Sequence, residues 1–291
     1  MKLSVSSYSF QQYIRAGKMT QLDTVGKAAE LGFEGIEFTD LTPFSGATLN
    51  DQLAYAARIR EEAERYGIEV VAYAVGADLY HEDQTDNADE VRRLCGQVDV
   101  AATMGAKLLR HDVCHSEKHH GRTVSFAKML QTIAMNAYDL TSYAEGKGIR
   151  TMTENHGLIV QDSDRVEALY NAVGHPNYGL LLDMGNFACA DEDSVKAVSR
   201  LAPYAFHVHA KDFHIYPFGH TPKEGQRVFQ TRACRLLEGC AVGDGDIPVE
   251  QCLAILKRAG YDGWITVEYE GNEDCLESIA KGLRYLKDKL S

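Results

Sequence analysis

Four segments in the second half of the chain place a carboxylate or an imidazole at the end of a candidate strand. They read Thr151-Met-Thr-Glu154-Asn155-His156, Leu180-Leu-Leu-Asp183-Met-Gly185-Asn186, His207-Val-His209-Ala-Lys211-Asp212 and Ile265-Thr-Val-Glu268-Tyr-Glu270. Three carboxylates and one imidazole suit a single divalent cation that prefers oxygen. Mn²⁺ or Mg²⁺ fits that donor set best, and Co²⁺ or Zn²⁺ is compatible with it. Taken singly, each residue reads as an ordinary polar cap at a strand end. Four in succession fit that reading poorly: brought together uncompensated, the carboxylates would repel one another, and a cation resolves the conflict.

The elements that would have to position them follow from the hydrophobic pattern. Candidate strands are 3–8, 35–38, 69–75, 107–111, 150–154, 179–183, 205–210 and 264–268. Amphipathic stretches at 22–31, 49–66, 89–104, 124–146, 164–173, 194–201, 249–259 and 274–290 lie between and after them. Gly32, Gly67, Gly105, Gly148 and Gly260 close helical patterns just before strands, where a left-handed residue lets the chain reverse. Strand–helix alternation with short returns marks a parallel α/β fold, and eight such units favour a closed (β/α)₈ barrel over an open sheet. Parallel strands aim their C-terminal ends at one face, so Glu154, Asp183, His209 and Glu268 can meet at its mouth.

The 291 residues show no composition break, Pro-rich linker or low-complexity tract, so one domain spanning 1–291 is expected. Its one irregular region is a long loop at about 212–248. Such loops are usually functional; the alternative is a surface excursion with its own short helix around 229–237.

The formal net charge of −12 makes nucleic acid and anionic membrane poor partners. The N-terminus has one Lys and no long apolar core, so it does not read as a signal peptide, and no apolar run is long enough to span a bilayer. The seven scattered cysteines form no CxxC pair and read as reduced thiols, which points to the cytoplasm. Oligomeric state is open, a homo-oligomer included.

The motifs Thr153-Glu-Asn-His156, Leu182-Asp-Met-Gly-Asn186, His207-Val-His-Ala-Lys-Asp212, Gly243-Asp-Gly245 and Gly260-Tyr-Asp-Gly263 with Val267-Glu268 resemble those of the xylose isomerase-like superfamily. More narrowly they resemble its sugar phosphate isomerase/epimerase group, which includes ketose 3-epimerases, hydroxypyruvate isomerase and inosose dehydratase. The resemblance implies that Glu154, Asp183, His209 and Glu268 hold one divalent metal ion. It also implies that Glu154 and Glu268 are catalytic, flanking a small sugar or polyol and exchanging protons with its carbon. That chemistry is coherent, because a cation on a carbonyl and its neighbouring hydroxyl acidifies the C–H between them and favours an enediolate. The chain departs from the ketohexose epimerases at Asn186, where they carry His, and at Ile215, where they carry Arg. The expected activity is therefore a metal-dependent sugar or polyol isomerase or epimerase. The alternative is a dehydratase of a keto-sugar or inosose, in which the same enediolate expels a β-hydroxyl. A metal-dependent abasic-site endonuclease would need more histidines and a basic surface. A non-catalytic sugar-binding protein would not need an intact ligand set.

Substrate contacts are expected from His156, Asn186, Lys211, Asp212 and His111. For His156 the alternative is a loop histidine, and for Lys211 with Asp212 a salt bridge between strand ends. His207, two residues before His209, should pack deeper in the barrel. The histidine-rich stretch 111–120 matches no standard zinc spacing, and apart from His111 it reads as an exposed loop. Arg232 and Arg235 could meet a phosphate or lie on the surface. Tyr8 either lines the pocket or fills the barrel, and Gly243-Asp-Gly245 suits a tight turn.

Overall fold

The computed structural model describes residues 1–119 and 121–291, so the last histidine of the 111–120 stretch lies outside the described residues. Eight parallel strands close into a barrel: β1 (Lys2–Ser6), β2 (Gly35–Thr39), β3 (Glu69–Val75), β4 (Leu108–His111), β5 (Arg150–Glu154), β6 (Tyr178–Asp183), β7 (Ala205–Ala210) and β8 (Trp264–Val267). Each pairs with its neighbours in sequence, and β8 pairs with β1. After each strand comes one outer helix: α1 (Asp23–Leu31), α2 (Leu49–Tyr66), α3 (Gln84–Met104), α4 (Phe126–Glu145), α5 (Ser163–Val173), α6 (Ser194–Leu201), α7 (Val249–Arg258) and α8 (Cys275–Leu290). This is the expected (β/α)₈ barrel.

Local chemistry sets the element ends. Asp162, Asp193 and Asp274 cap α5, α6 and α8 by accepting from first-turn amides, and Thr48 with Asp51 forms a capping box on α2. Gly32, Gly67 and Gly105 end α1, α2 and α3 with φ of 90°, 67° and 91°. The first strand is shorter than expected. It stops at Ser6, whose hydroxyl accepts from the Tyr8 amide and starts a helical turn at Ser7–Phe10, followed by a short helix at Gln11–Arg15.

The strands are buried on both faces. Val5, Ile36, Phe38, Leu109, Leu182, Val208 and Ile265 point outward into the main core beneath the helices. A separate apolar group, Val71, Ala72, Leu108, Met152 and Leu181 with Phe206 and Trp264, fills the N-terminal end of the barrel. Val71 and Phe206 have no partner across the register shifts of β2–β3 and β6–β7, so these bulges add bulk to that plug. A Cβ at Gly179 would stand 2.5 Å from the Phe206 ring, which explains glycine there. With the lower end closed by hydrocarbon, polar inward residues gather at the C-terminal mouth.

The helix expected around 229–237 is not formed. Segment 212–248 instead carries a three-stranded antiparallel sheet of Asp212–Tyr216, Leu236–Cys240 and Phe229–Gln230. The composition of 231–235 suits a helix, but the Asp191 carboxylate accepts from the Thr231 hydroxyl, the Ala233 amide and Arg235 Nε, and the captured segment becomes a turn. Among the described residues no helix is long and apolar enough to cross a membrane.

Candidate metal centre

Glu154 and Asp183 are the last residues of β5 and β6, His209 is the penultimate residue of β7, and Glu268 follows β8 directly. Inward alternation turns all four to the barrel axis. Each offers one ligand atom, and these atoms lie within 4.8 Å of one another in a fully buried group. His209 Nδ1 stands 3.8 Å from Glu154 Oε1, 3.7 Å from Asp183 Oδ2 and 3.7 Å from Glu268 Oε2.

The remaining atoms of two of these groups are already engaged. Asp183 Oδ1 accepts from the amides of Gly185 at 2.7 Å and Asn186 at 2.9 Å. His209 Nε2 faces both Glu37 oxygens, at 3.1 and 3.0 Å. With Nε2–H donated to Glu37, Nδ1 keeps its lone pair toward the centre. Among the described residues, Asp183 Oδ2 and His209 Nδ1 are then left buried without a hydrogen-bond partner. Such orphans are costly, and two of them facing one point between carboxylates is what a divalent cation relieves. Three oxygen donors and one imidazole therefore fit such an ion.

Two cations balance part of the charge. Arg110 Nη2 lies 2.6 Å from Glu154 Oε2 and 2.7 Å from Asp112 Oδ1. Lys211 Nζ lies 2.5 Å from Glu268 Oε2, with Asp183 and Glu270 oxygens at 3.6 and 3.5 Å. Burial alone would favour the neutral amine of Lys211, but Glu268, Asp183 and Glu270 outweigh it and hold the ammonium well above its ordinary pKa. Burial would likewise raise Glu37, yet the two imidazoles that face it, His209 and His207, bring it down to about 2.

The predicted ligands are thus brought together, but the predicted substrate contacts divide. His156 and Lys211 line a cavity of about 700 Å³ above the centre, with Glu154, His209 and Glu268 in the same wall. His156 is fixed by Asp112 at 2.9 Å. Tyr8 also lines the cavity and donates to Glu270 at 2.6 Å. Asn186, His111 and Asp212 are not in the cavity wall. Asn186 sits behind it and donates to Glu154 Oε1 at 2.9 Å. His111 is one residue out of phase: Arg110 takes the inward position on β4, while His111 is fully buried and burial pushes its ring down to about 4. The Asp212 carboxylate accepts from the amides of Phe213, Gly243, Gly245 and Ile247, so it ties the Gly243-Asp-Gly245 turn to β7. Close packing requires Gly245, since a Cβ there would overlap Asp212.

His207 lies below His209 as expected, 2.7 Å from Thr266 Oγ1 and 3.3 Å from Glu37. Arg232 and Arg235 pair with Asp162 and Asp191 away from the cavity. Sequence reasoning overlooked Glu37, Arg110, Asp112 and Glu270. For Glu37 a signal was present: an acidic residue inside the apolar run Gly35-Ile-Glu-Phe38 has to find a partner when the strand is buried on both faces.

Fold and site together define a barrel enzyme class with a carboxylate-rich centre at the strand ends. The chain belongs to the xylose isomerase-like TIM barrel family, whose model matches residues 25–289. It is 26% identical over 213 residues to the inosose dehydratase of Clostridium perfringens (strain ATCC 13124), covering 66% of this chain and 68% of that one. Among solved structures, it resembles L-ribulose 3-epimerase at 15% identity and a TM-score of 0.74, covering 99% of this chain and 94% of that one. It also resembles the IOLI protein with a bound zinc atom, at 18% identity and a TM-score of 0.73, covering 100% and 98%. These two structural likenesses establish the fold.

Proposed function

We propose that the protein is a metal-dependent lyase that dehydrates a keto-polyol of the inosose class, using Glu154, Asp183, His209 and Glu268 as metal ligands. The observation that carries the metal role is the pair of unpartnered atoms, Asp183 Oδ2 and His209 Nδ1, facing one point among the carboxylates. Likeness to an inosose dehydratase favours elimination over the isomerase or epimerase reading of the motifs.

A divalent ion at this centre supplies Lewis acidity toward the substrate carbonyl and its neighbouring oxygen. The protein's own groups do the rest. Glu154 and Glu268 approach from β5 and β8, separated around the mouth by the β6 and β7 ligands. A substrate held between them meets a carboxylate on either side. One removes the proton next to the carbonyl, and the electron pair becomes the C=C bond as the β C–O bond breaks. The departing hydroxyl takes a proton and leaves as water. His156, Lys211 and Arg110 are N–H donors in the same wall as the two glutamates. Arg110 and Asn186 keep Glu154 in position by binding its two oxygens.

The epimerase reading differs only in returning the proton to the other face. The positions at which this chain departs from ketohexose epimerases, Asn186 and Ile215, do not line this cavity. The deciding experiment follows metal-loaded protein with inososes, 3-keto sugars and ketohexoses by NMR in D₂O. Dehydration of an inosose or 3-keto sugar is the expected result. Epimerisation of a ketohexose with solvent deuterium and no elimination would replace the lyase by an epimerase. Metal-dependent incision of abasic DNA, lost in Glu154→Gln, would overturn both.

A further inference from the structure

The cavity is larger than the reaction proposed above requires. An inosose has twelve non-hydrogen atoms. Even at the ~30 Å³ that a water molecule occupies in the liquid, twelve atoms fill about 360 Å³. The cavity measures about 700 Å³. Its metal-ligand side is built from β5–β8, and the remaining volume extends across the mouth over β1 and β2, where the wall comes from segment 11–21, the turn after β2, Tyr55 in the second turn of α2 and the end of β3.

The two sides differ in chemistry. Around the ligands the wall is charged, with Glu37, Arg110, Glu154, His209, Lys211 and Glu268. Across the mouth, Ile14, Met19, Pro43 and Tyr55 face the cavity, all only half-buried, with Gln21 and Thr42 beside them and the exposed Asp40 and Arg15 at the rim. Apolar side chains with a few amide and hydroxyl groups are what a ring with C–H faces and scattered polar atoms requires. A phosphate would find little there. Arg110 is held by two carboxylates and Lys211 by Glu268, which leaves the exposed Arg15 as the cation lining that side.

We infer that this outer half is a second subsite, which takes an aromatic ring attached to the reacting keto-polyol. The substrate class is then a ring-substituted keto-sugar rather than a bare monosaccharide or a phosphate ester. The inference rests on the proposed reading only in placing the reacting ring at the ligands.

Phenyl β-D-glucopyranoside, methyl β-D-glucopyranoside and glucose 6-phosphate serve as unreactive probes. They are titrated into the whole protein by calorimetry, metal-free and with Mn²⁺. Burying a phenyl ring should make the phenyl glucoside at least about tenfold tighter than the methyl glucoside in both states. Tyr55→Ala and, separately, Ile14→Ser should remove most of that advantage. Ile14 is half-exposed, so its variant keeps the test open if Tyr55→Ala fails to fold. Equal binding of the two glucosides, an advantage that survives both variants, or tightest binding by glucose 6-phosphate would overturn the subsite. Metal binding is read in a separate titration. If Mn²⁺ does not bind, the proposed reaction falls while the phenyl advantage is still measurable.

Discussion

The two halves of the barrel mouth are built from the same strand–helix unit, yet they carry different kinds of charge. On β5–β8, buried Asp183 Oδ2 and His209 Nδ1 have no hydrogen-bond partner among the described residues. On β2 and β4, the inward charges are engaged by their neighbours: Glu37 by His207 and His209, and Arg110 by Glu154 and Asp112 through Nη2, with its Nε left without a partner among the described residues. A buried group with its partners in place holds geometry, whereas a buried group without them is ready for a ligand. The second half of the chain would therefore supply reactivity, and the first half would supply the fields that orient it.

The sharpest way to break that division is to remove a donor from the ligand half. Asp183→Ala or His209→Ala should abolish one-to-one binding of Mn²⁺ or a similar ion, a larger loss than the about 100-fold that an outer partner costs. Metal analysis after dialysis, with a binding titration, reads it directly. Tight stoichiometric binding in both variants would mean that the centre lies elsewhere. Next in size, Glu154→Gln or Glu268→Gln should lower turnover about 10²–10⁴-fold at saturating metal, with occupancy checked because each is also a proposed ligand. Product formed at full rate without uptake of solvent deuterium would withdraw both glutamates from proton transfer.

The supporting half should respond more weakly. Glu37→Gln removes the charge that faces His209 Nε2, so Mn²⁺ affinity should fall about 10–100-fold while the stoichiometry stays at one. An affinity unchanged by the substitution would leave Glu37 as packing alone.

This contrast also explains what could be read from the sequence. The barrel was legible because each unit carries its own apolar run and its own helix end, and the four proposed ligands because each stands at the end of a candidate strand. The partners of those ligands were not, because pairing across the barrel joins residues far apart in sequence: Glu37 meets His209 over 172 positions. Phase was the other obstacle. On β4 the apolar run does not reveal which of Arg110 and His111 faces inward, since both faces of the strand are buried, and the choice of His111 was one residue off. The turn at 231–235 escaped notice because its organiser, Asp191, lies on the loop after β6.

Asp212 gives the smallest expected effect and the finest test of the comparison. It follows Lys211 directly, so the two side chains leave the end of β7 in different directions. Lys211 reaches the cavity and Glu268, whereas Asp212 turns to the 243–247 segment and accepts from four backbone amides. Asp212→Asn keeps the shape but places an N–H₂ group against amides that themselves donate. Leaving such donors short of an acceptor costs about 1–3 kcal/mol. Denaturant unfolding should show a loss of that order, while turnover at saturating metal and substrate stays close to that of the parent. Substantially impaired turnover in folded, metal-loaded Asp212→Asn would place this carboxylate in the reaction after all and restore the reading of residues 211 and 212 as a substrate-contacting pair. Unchanged turnover with reduced stability would fix the boundary of the site between two adjacent residues, with chemistry on one side of the peptide bond and loop anchoring on the other.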